Sequence, residues 1–341
     1  MERILLGHGS GGRLMHQLIA ECFVPEFDIK ELGDSATINS GDLRVEGSSF
    51  RLAFTTDSYV VSPLFFPGGT IGELAVNGTV NDLSVVGARP YCLSTGFIIE
   101  EGLPMDDFRR ILSSMSKAAK KAGVHIIAGD TKVVEKGKGD GIFINTSGIG
   151  VIPDGITLGP QQIKAGDKVI VSGAIGNHGI AVLSQRNGLV FQPPVLSDTA
   201  PLNGLVEFMF NATEQIKMMR DPTRGGVATT LKELALESHF CITMHESLLP
   251  IPGGVIGACE LLGLDPLYVA NEGILIAIVG SQVADKLVSL MKTHPLGTNA
   301  AIIGEVTQNT MRTKDMVLLK TAIGGTRVVD MLSGEQLPRI C

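Results

Sequence analysis

The chain has 341 residues, 44% of them hydrophobic and 18% charged, with a formal net charge of −7. That length and apolar content suit two domains with sizeable cores and exclude a disordered chain. No long basic block supports nucleic-acid binding, because Lys132, Lys136 and Lys138 are flanked by acidic residues. The purest apolar run, Ile274–Val279, is far short of the roughly 20 residues a membrane helix needs.

The five cysteines, Cys22, Cys92, Cys241, Cys259 and Cys341, are widely spaced and form no CxxC pair, so neither a zinc site nor a disulfide framework is expected. Only three apolar residues separate Met1-Glu2-Arg3 from Gly7, too few for a signal peptide, and the expected compartment is the cytoplasm.

In chain order, Gly7-His8-Gly9-Ser10-Gly11-Gly12 opens an arm that leads into a helical stretch, Leu14–Phe23. Gly7, Gly9 and Gly12 match G-x-G-x-x-G, but a dinucleotide fold needs a strand before and a βαβ unit after it. A Gly-rich arm that closes over phosphates fits better. Strands are expected near Ser35–Asn39 and Phe50–Thr56, then a helix over Thr70–Val86 closed by Gly87 and a strand over Tyr91–Ile99. Phe108, Ile111, Leu112, Met115, Ala119 and Ala122 fall at helical spacing, and Gly123 stands where a C-terminal cap belongs. Strands Val124–Ala128 and Ile142–Ile152 complete an α+β domain with helices on one face of a mixed sheet.

The stretch around Pro153–Gly166 breaks into Pro, Gly and polar residues, a domain boundary. A second α/β region follows, with strands near Lys168–Ser172, Cys241–Met244, Ile274–Val279 and Ala301–Val306. Its helices are expected near Ile175–Arg186, Gly225–Ser238 and Val283–Lys292. From Gly324 onward no apolar period recurs. The expected division is therefore an arm and helix over 1–32, an N-terminal domain over 33–153, a C-terminal domain over 163–323 and a flexible tail over 324–341 that carries Cys341.

Asp34, Asp57, Asp82 and Asp130 each stand beside apolar sequence where an element ends. Singly, each reads as a turn or a helix cap. Converging, they would repel one another without a cation, and hard oxygen ligands of this kind suit Mg²⁺ holding phosphates. Glu73, Asn77 and Asn81 form a polar stripe on the 70–86 helix that faces solvent, a nucleotide or a subunit interface. Asp221-Pro222-Thr223-Arg224-Gly225-Gly226 can cap the helix after it and let backbone amides approach an anion. Asn271-Glu272-Gly273 sets a carboxylate before a strand, and His178 reads as a structural residue near a Gly-rich helix start rather than a functional one. Cys341, on a mobile arm, is either an incidental thiol or a carrier that visits an active site and then a partner.

Gly33-Asp34, Thr55-Thr56-Asp57, Asn81-Asp82 with Gly87-Ala88-Arg89-Pro90, Gly129-Asp130-Thr131, Asp221 to Gly226 and Asn271-Glu272-Gly273 form an ordered set. That set resembles the superfamily of aminoimidazole ribonucleotide synthetase, selenophosphate synthetase and thiamine-monophosphate kinase. Within it, His8-Gly9-Ser10-Gly11-Gly12 and Pro338-Arg339-Ile340-Cys341 are similar to the HypE family of hydrogenase maturation factors. The superfamily pattern often has a second Asp after Asp34, where this chain has Ser35. The arm also lacks the reactive cysteine of a selenophosphate synthetase.

The resemblance implies a homodimer whose N-terminal sheets join into a barrel, with ATP and Mg²⁺ beside the aspartates. It implies a carbamoyl group, delivered to Cys341 by HypF, that ATP-driven dehydration turns into a thiocyanate and passes to iron held by HypC and HypD for a [NiFe]-hydrogenase. The expected metal ligands are Asp34, Asp57, Asp82 and Asp130. Gly9, Ser10, Gly11, Asn81 and Thr131 are expected to join Asp57, Asp82 and Asp130 around the nucleotide. The expected catalytic residues are Cys341, Lys132 for developing negative charge and Glu272 as base. Two alternatives stand beside this reading: a small-molecule phosphotransferase of the same superfamily, and a nucleotide-binding scaffold that only organises maturation partners.

Overall fold

The computed structural model describes residues 12–27, 34–39, 50–310, 313–332, 337 and 339–341. Helix α1 (Arg13–Leu18) runs through one π-helical turn into α2 (Val24–Phe27). The N-terminal sheet takes β1 (Ala36–Asn39), β2 (Arg51–Tyr59), β5 (Arg89–Glu100), β6 (His125–Val134) and β7 (Ile142–Ile152) in the order β1-β2-β7-β5-β6, with a two-stranded hairpin, β3 (Phe65–Phe66) and β4 (Gly69–Thr70), beside it. Neighbours are antiparallel except β5 and β6. Strict alternation sets the two faces: on β7, Ile142, Ile144, Thr146 and Ile152 are buried while Asn145, Ile149 and Val151 are exposed.

Two helices cover the inner face. Helix α3 (Ile71–Val85) has Thr70 as its N-cap, the Oγ1 accepting from Glu73 N at 3.2 Å, and it is buried on nearly every side. Helix α4 (Met105–Ala122) buries Ile111, Met115, Ala118, Ala119 and Ala122. Asp106 and Asp107 in its first turn and Lys120 and Lys121 in its last complement the helix dipole, and Gly123 ends it at φ +70°. The opposite face keeps Phe54, Tyr91, Ile98, Ile127 and Ile149 exposed, Ile127 at 68%.

The C-terminal sheet has seven strands in the order β14-β13-β10-β12-β8-β11-β9: β8 (Lys168–Val171), β9 (Ile216–Arg220), β10 (Cys241–His245), β11 (Ile276–Val279), β12 (Ala301–Thr307), β13 (Val317–Lys320) and β14 (Thr326–Val329). Alternate residues feed two cores. Val169 and Val171 join the cluster built on α7 (Gly226–Ser238), and Ile170 joins the one built on α6 (Asn203–Ala212) and α9 (Ala284–Met291). Helices α5 (Asn177–Asn187) and α8 (Gly253–Leu262) pack in the cluster shared with the N-terminal domain. Strand β14 lies within the stretch expected to be tail: Leu318 and Val328 pair across it, and Val329 is fully buried. Among the described residues, no helix is long and apolar enough to cross a membrane.

The domains meet through the polar stripe of α3. Asn77 Nδ2 donates to Thr199 Oγ1 at 3.1 Å, Asn81 Nδ2 donates to the Ala200 carbonyl at 3.1 Å, and Asn81 Oδ1 accepts from Leu202 N at 2.8 Å. Asn77 and Asn81 of the stripe therefore face the other domain of their own chain, where Asn81 replaces water for backbone groups of a segment that lacks regular structure and Asn77 holds the Thr199 side chain.

Candidate active site

A cleft of about 570 Å³ opens between the domains. Strand β2 ends in it with Asp57 and Tyr59, α3 contributes Asp82, and Asp34 stands just before β1. From the C-terminal domain come Arg220 at the end of β9, Asp221 and Arg224 in the loop before α7, and Glu272 before β11. Cys341 lines the same cleft.

The first-domain acids are held by neighbours. Tyr59 donates its hydroxyl to Asp57 Oδ2 at 2.9 Å, and Thr55 Oγ1 donates to Asp82 Oδ2 at 2.8 Å. Gly78 on α3 lies under the Tyr59 ring, and a Cβ there would fall 2.1 Å from the phenol oxygen, so only glycine leaves room for this arrangement. Arg220 bonds Asp34 and reaches both oxygens of Glu237 at 3.1 and 3.2 Å. Burial opposes its charge, but Asp34, Glu237 and Glu233 hold it protonated.

The carboxyls are crowded and shielded from water. Burial raises Asp82 well above the ordinary carboxylate range, and the charges of Asp57, Asp221 and Asp34 raise it further. Asp221 is raised in the same way, by burial and then by Asp34 and Asp57. Burial lifts Glu272, with Asp221, Asp198 and Asp57 adding to it and Arg224 opposing. The Cys341 thiol is pushed up to about 12 by burial, against the pull of Arg224. Among the described residues, no three metal-binding side chains converge tightly enough to hold an ion alone.

Glu272 is fixed through its backbone. Its N–H donates to Asp198 Oδ1 at 3.2 Å, Gly273 N–H donates to Asp198 Oδ2 at 3.1 Å, and Asn81 Nδ2 reaches the Glu272 carbonyl at 3.3 Å. Asp198 itself is raised to about 6 by burial, moderated by the backbone N–H groups that it accepts.

The last residues of the chain are docked. Val60 N–H donates to the Cys341 carbonyl at 3.2 Å and Ser62 N–H to the Arg339 carbonyl at 3.3 Å, the alternate pairing of a short strand extension. Arg339 Nε donates to the Val60 carbonyl at 2.9 Å, and Arg186 donates to the Arg339 carbonyl at 2.7 Å. Ile340 is buried in the cluster that holds Val61, Phe66 and Ile180. The tail expected to be flexible is, over these residues, seated in the cleft.

Of the expected site residues, the structure brings together Asp34, Asp57, Asp82, Glu272 and Cys341. Asn81 lies behind them in the domain junction, where it positions Glu272 rather than lining the cleft. Asp130, Thr131 and Lys132 are not brought in. They are exposed on β6, the far edge of the sheet from β1, and Lys132 Nζ is paired with the two Asp130 oxygens at 2.8 and 2.6 Å. Gly9, Ser10 and Gly11 lie outside the described residues. Asp221 and Thr223 do not cap α7, whose N-cap is Gly225 at φ +79° with no side-chain bond. Asp221 faces the cleft instead. Arg220, Arg224 and Tyr59 also line the site without a sequence signal for it, although Arg224 lies within the Asp221 to Gly226 motif.

Residues 33–152 match the model of the AIR synthase related protein N-terminal domain, and residues 164–314 match that of its C-terminal domain. The carbamoyl dehydratase HypE of Bradyrhizobium diazoefficiens is 51% identical over 98% of this chain and 95% of its own. A crystal structure of a HypE–HypF complex superposes with a TM-score of 0.84 at 47% identity, covering 92% of this chain and 99% of that one. A structure of HypE in complex with ATP gives 0.82 at 46%, covering 99% and 100%. Two AIR synthase related domains, near-complete overlap with these relatives and a cysteine seated among the cleft acids agree, and the chain belongs to the carbamoyl dehydratase HypE family.

Proposed function

We propose that this chain is an ATP-dependent carbamoyl dehydratase that works on its own Cys341 and supplies the cyanide ligand of [NiFe]-hydrogenase iron. The observation that carries this reading is the position of Cys341, a thiol on a docked tail in a cleft lined by Asp34, Asp57, Asp82, Asp221 and Glu272. HypF is the carbamoyl donor, as the HypE–HypF complex supports, and a HypC–HypD complex is the acceptor. The site of action is the cytoplasm.

The balance is simple. The carbamoyl oxygen of Cys341–S–C(=O)–NH₂ takes the γ-phosphoryl group of ATP, releasing ADP. Loss of the nitrogen protons and of phosphate then leaves Cys341–S–C≡N. Glu272, its carboxylate kept basic by burial and by neighbouring acids, accepts a nitrogen proton. Asp198 and Asn81 hold the Glu272 backbone while it does so. Arg224, whose positive charge lies close to Cys341, offsets negative charge developing on the thiocarbamate.

Asp57 and Asp82, with Asp34 and Asp221 beside them, suit Mg²⁺. Asp57 raises Asp34, Asp82 and Asp221, Asp34 also raises Asp82 and Asp221, and a cation relieves that repulsion. Mg²⁺ is commonly held by one or two protein carboxylates, which Asp57 and Asp82 could supply, together with phosphate oxygens and water. When bound it would neutralise triphosphate charge. Asp130, Thr131 and Lys132 would reach such a site only from a second copy. The β6 edge, unpaired among the described residues, and the exposed Phe54, Ile98 and Ile127 favour a homodimer that joins the two N-terminal sheets. The Gly9–Gly11 arm would close over the phosphates.

Mass spectrometry of the C-terminal peptide, after incubation with HypF, carbamoyl phosphate and ATP, tests the reading. A carbamoyl adduct on Cys341 that then loses one water is expected. An unmodified Cys341 beside active HypF would overturn it.

A further inference from the structure

His178 on α5 is fully buried, and both ring nitrogens are engaged. Its Nε2 lies 2.8 Å from the Ile340 carbonyl and its Nδ1 lies 2.9 Å from Ser197 Oγ. A carbonyl only accepts, so Nε2 carries the proton and Nδ1 accepts from the serine hydroxyl. Ser197 Oγ in turn accepts from Thr199 N at 3.1 Å, which leaves its own proton for the imidazole. The tautomer is therefore set by a chain that runs from the 197–200 segment to the tail. Asp198 in that segment accepts from the backbone N–H groups of Glu272, Gly273 and His178. Thr199 Oγ1 and the Ala200 carbonyl meet Asn77 and Asn81 of the other domain.

We propose that His178 is a positioning residue that latches the tail, donating to the Ile340 carbonyl so that Cys341 is held against the same short segment that fixes Glu272. The thiol and the base then share one support, the hydrogen-bonded run from His178 through Ser197 and Asp198 to Glu272. The proton count supports a neutral latch. Burial lowers the ring to about 4, so at neutral pH it offers one donor and one acceptor, the pair this geometry uses. Phe66 lies against the ring edge-on at 5.4 Å and offers no competing polar group.

The latch can be separated from a merely structural histidine by amide substitution. In His178→Gln the side-chain nitrogen falls near the place of Nε2 and keeps the tail bond. In His178→Asn the side-chain amide reaches only the place of Nδ1, where its oxygen keeps the Ser197 contact, and the tail bond is lost. The readout is the rate at which a maleimide modifies Cys341, followed on the C-terminal peptide. Exposed Cys22 serves as the internal standard, and buried Cys92, Cys241 and Cys259 report any general loosening. His178→Asn is expected to raise the Cys341 rate about tenfold, the effect of losing one buried hydrogen bond, with His178→Gln near the unaltered chain. Equal rates in the Asn variant and the unaltered chain, or equal increases in both variants, would overturn the latch. If the Asn variant also exposes its buried cysteines, Ser197→Ala decides. It releases the tautomer and should raise the Cys341 rate severalfold, and no rise refutes the proposal.

The proposal rests on reading Cys341 as the carrier. The labelling contains neither ATP nor a carbamoyl donor, so it can fail without touching the dehydratase reading, and the reverse also holds.

Discussion

Lowering the pH from 7 to 5 loads His178 specifically. Its ring titrates near 6.5 in the unfolded chain and is lowered to about 4 in the fold by burial. The unfolded state therefore binds more protons between those values, and stability falls as pH falls through the window. Integrating that linkage from pH 7 to 5 gives a loss of about 2 kcal/mol from this one residue. Asp198 works in the opposite direction. Raised to about 6, it takes up its proton in the fold first and adds roughly 1 kcal/mol over the same interval. Bulk acid sensitivity would confound the two, so the informative quantity is the difference between the unaltered chain and His178→Gln. Urea midpoints at both pH values, with the slope checked for constancy, supply it. The unaltered chain should lose about 2 kcal/mol more than the variant. If both lose stability equally, the imidazole is not buried and neutral, and the hydrogen-bond scheme drawn for it is wrong.

Asp82→Asn replaces a carboxyl whose ionisation burial and the neighbouring Asp57, Asp221 and Asp34 oppose in the fold, so the chain without nucleotide should melt a few degrees higher. The rise in melting temperature that ATP and Mg²⁺ give the unaltered chain should disappear in that variant, and its persistence would remove Asp82 from the nucleotide site. Glu272→Gln keeps the shape of the cleft and should accumulate carbamoylated Cys341 by mass spectrometry, whereas ordinary thiocyanate formation would displace Glu272 as the base. Ile127→Glu places a charge on the exposed face of β6 and should halve the mass measured by light scattering toward the 36.0 kDa of one chain. An unchanged mass would place any dimer contact elsewhere.

Helix α4 was legible because its apolar residues, its acidic first turn, its basic last turn and Gly123 all point to one segment. Helices α6 and α8 were not, since neither has a side-chain cap and their N-cap positions hold Leu202 and Pro252. Strand β14 escaped because three of its four residues are exposed and carry little apolar alternation. The acids at 34, 57, 82 and 272 converge as their positions at element ends suggested. Asp130 has the same local signature, a Gly-Asp-Thr at the turn of apolar sequence, and yet stands on the far edge of the sheet. Strand order decides that, and no local pattern encodes strand order. Arg220 was hidden for a related reason: at the end of β9 it reads as an ordinary boundary residue until the fold sets Asp34 and Glu237 on either side of it.

The strand that carries Asp57 and Tyr59 continues into Val60 and Ser62, the residues that seat Cys341 and Arg339. Acid and thiol are thus measured along one ruler, and the docked tail can move on it only in whole residues. A slip by one would turn the thiol to the opposite side of the extension and swing Ile340 out of its socket, so no half-placed intermediate is available. Seating of residues 339–341 is therefore all or none in register.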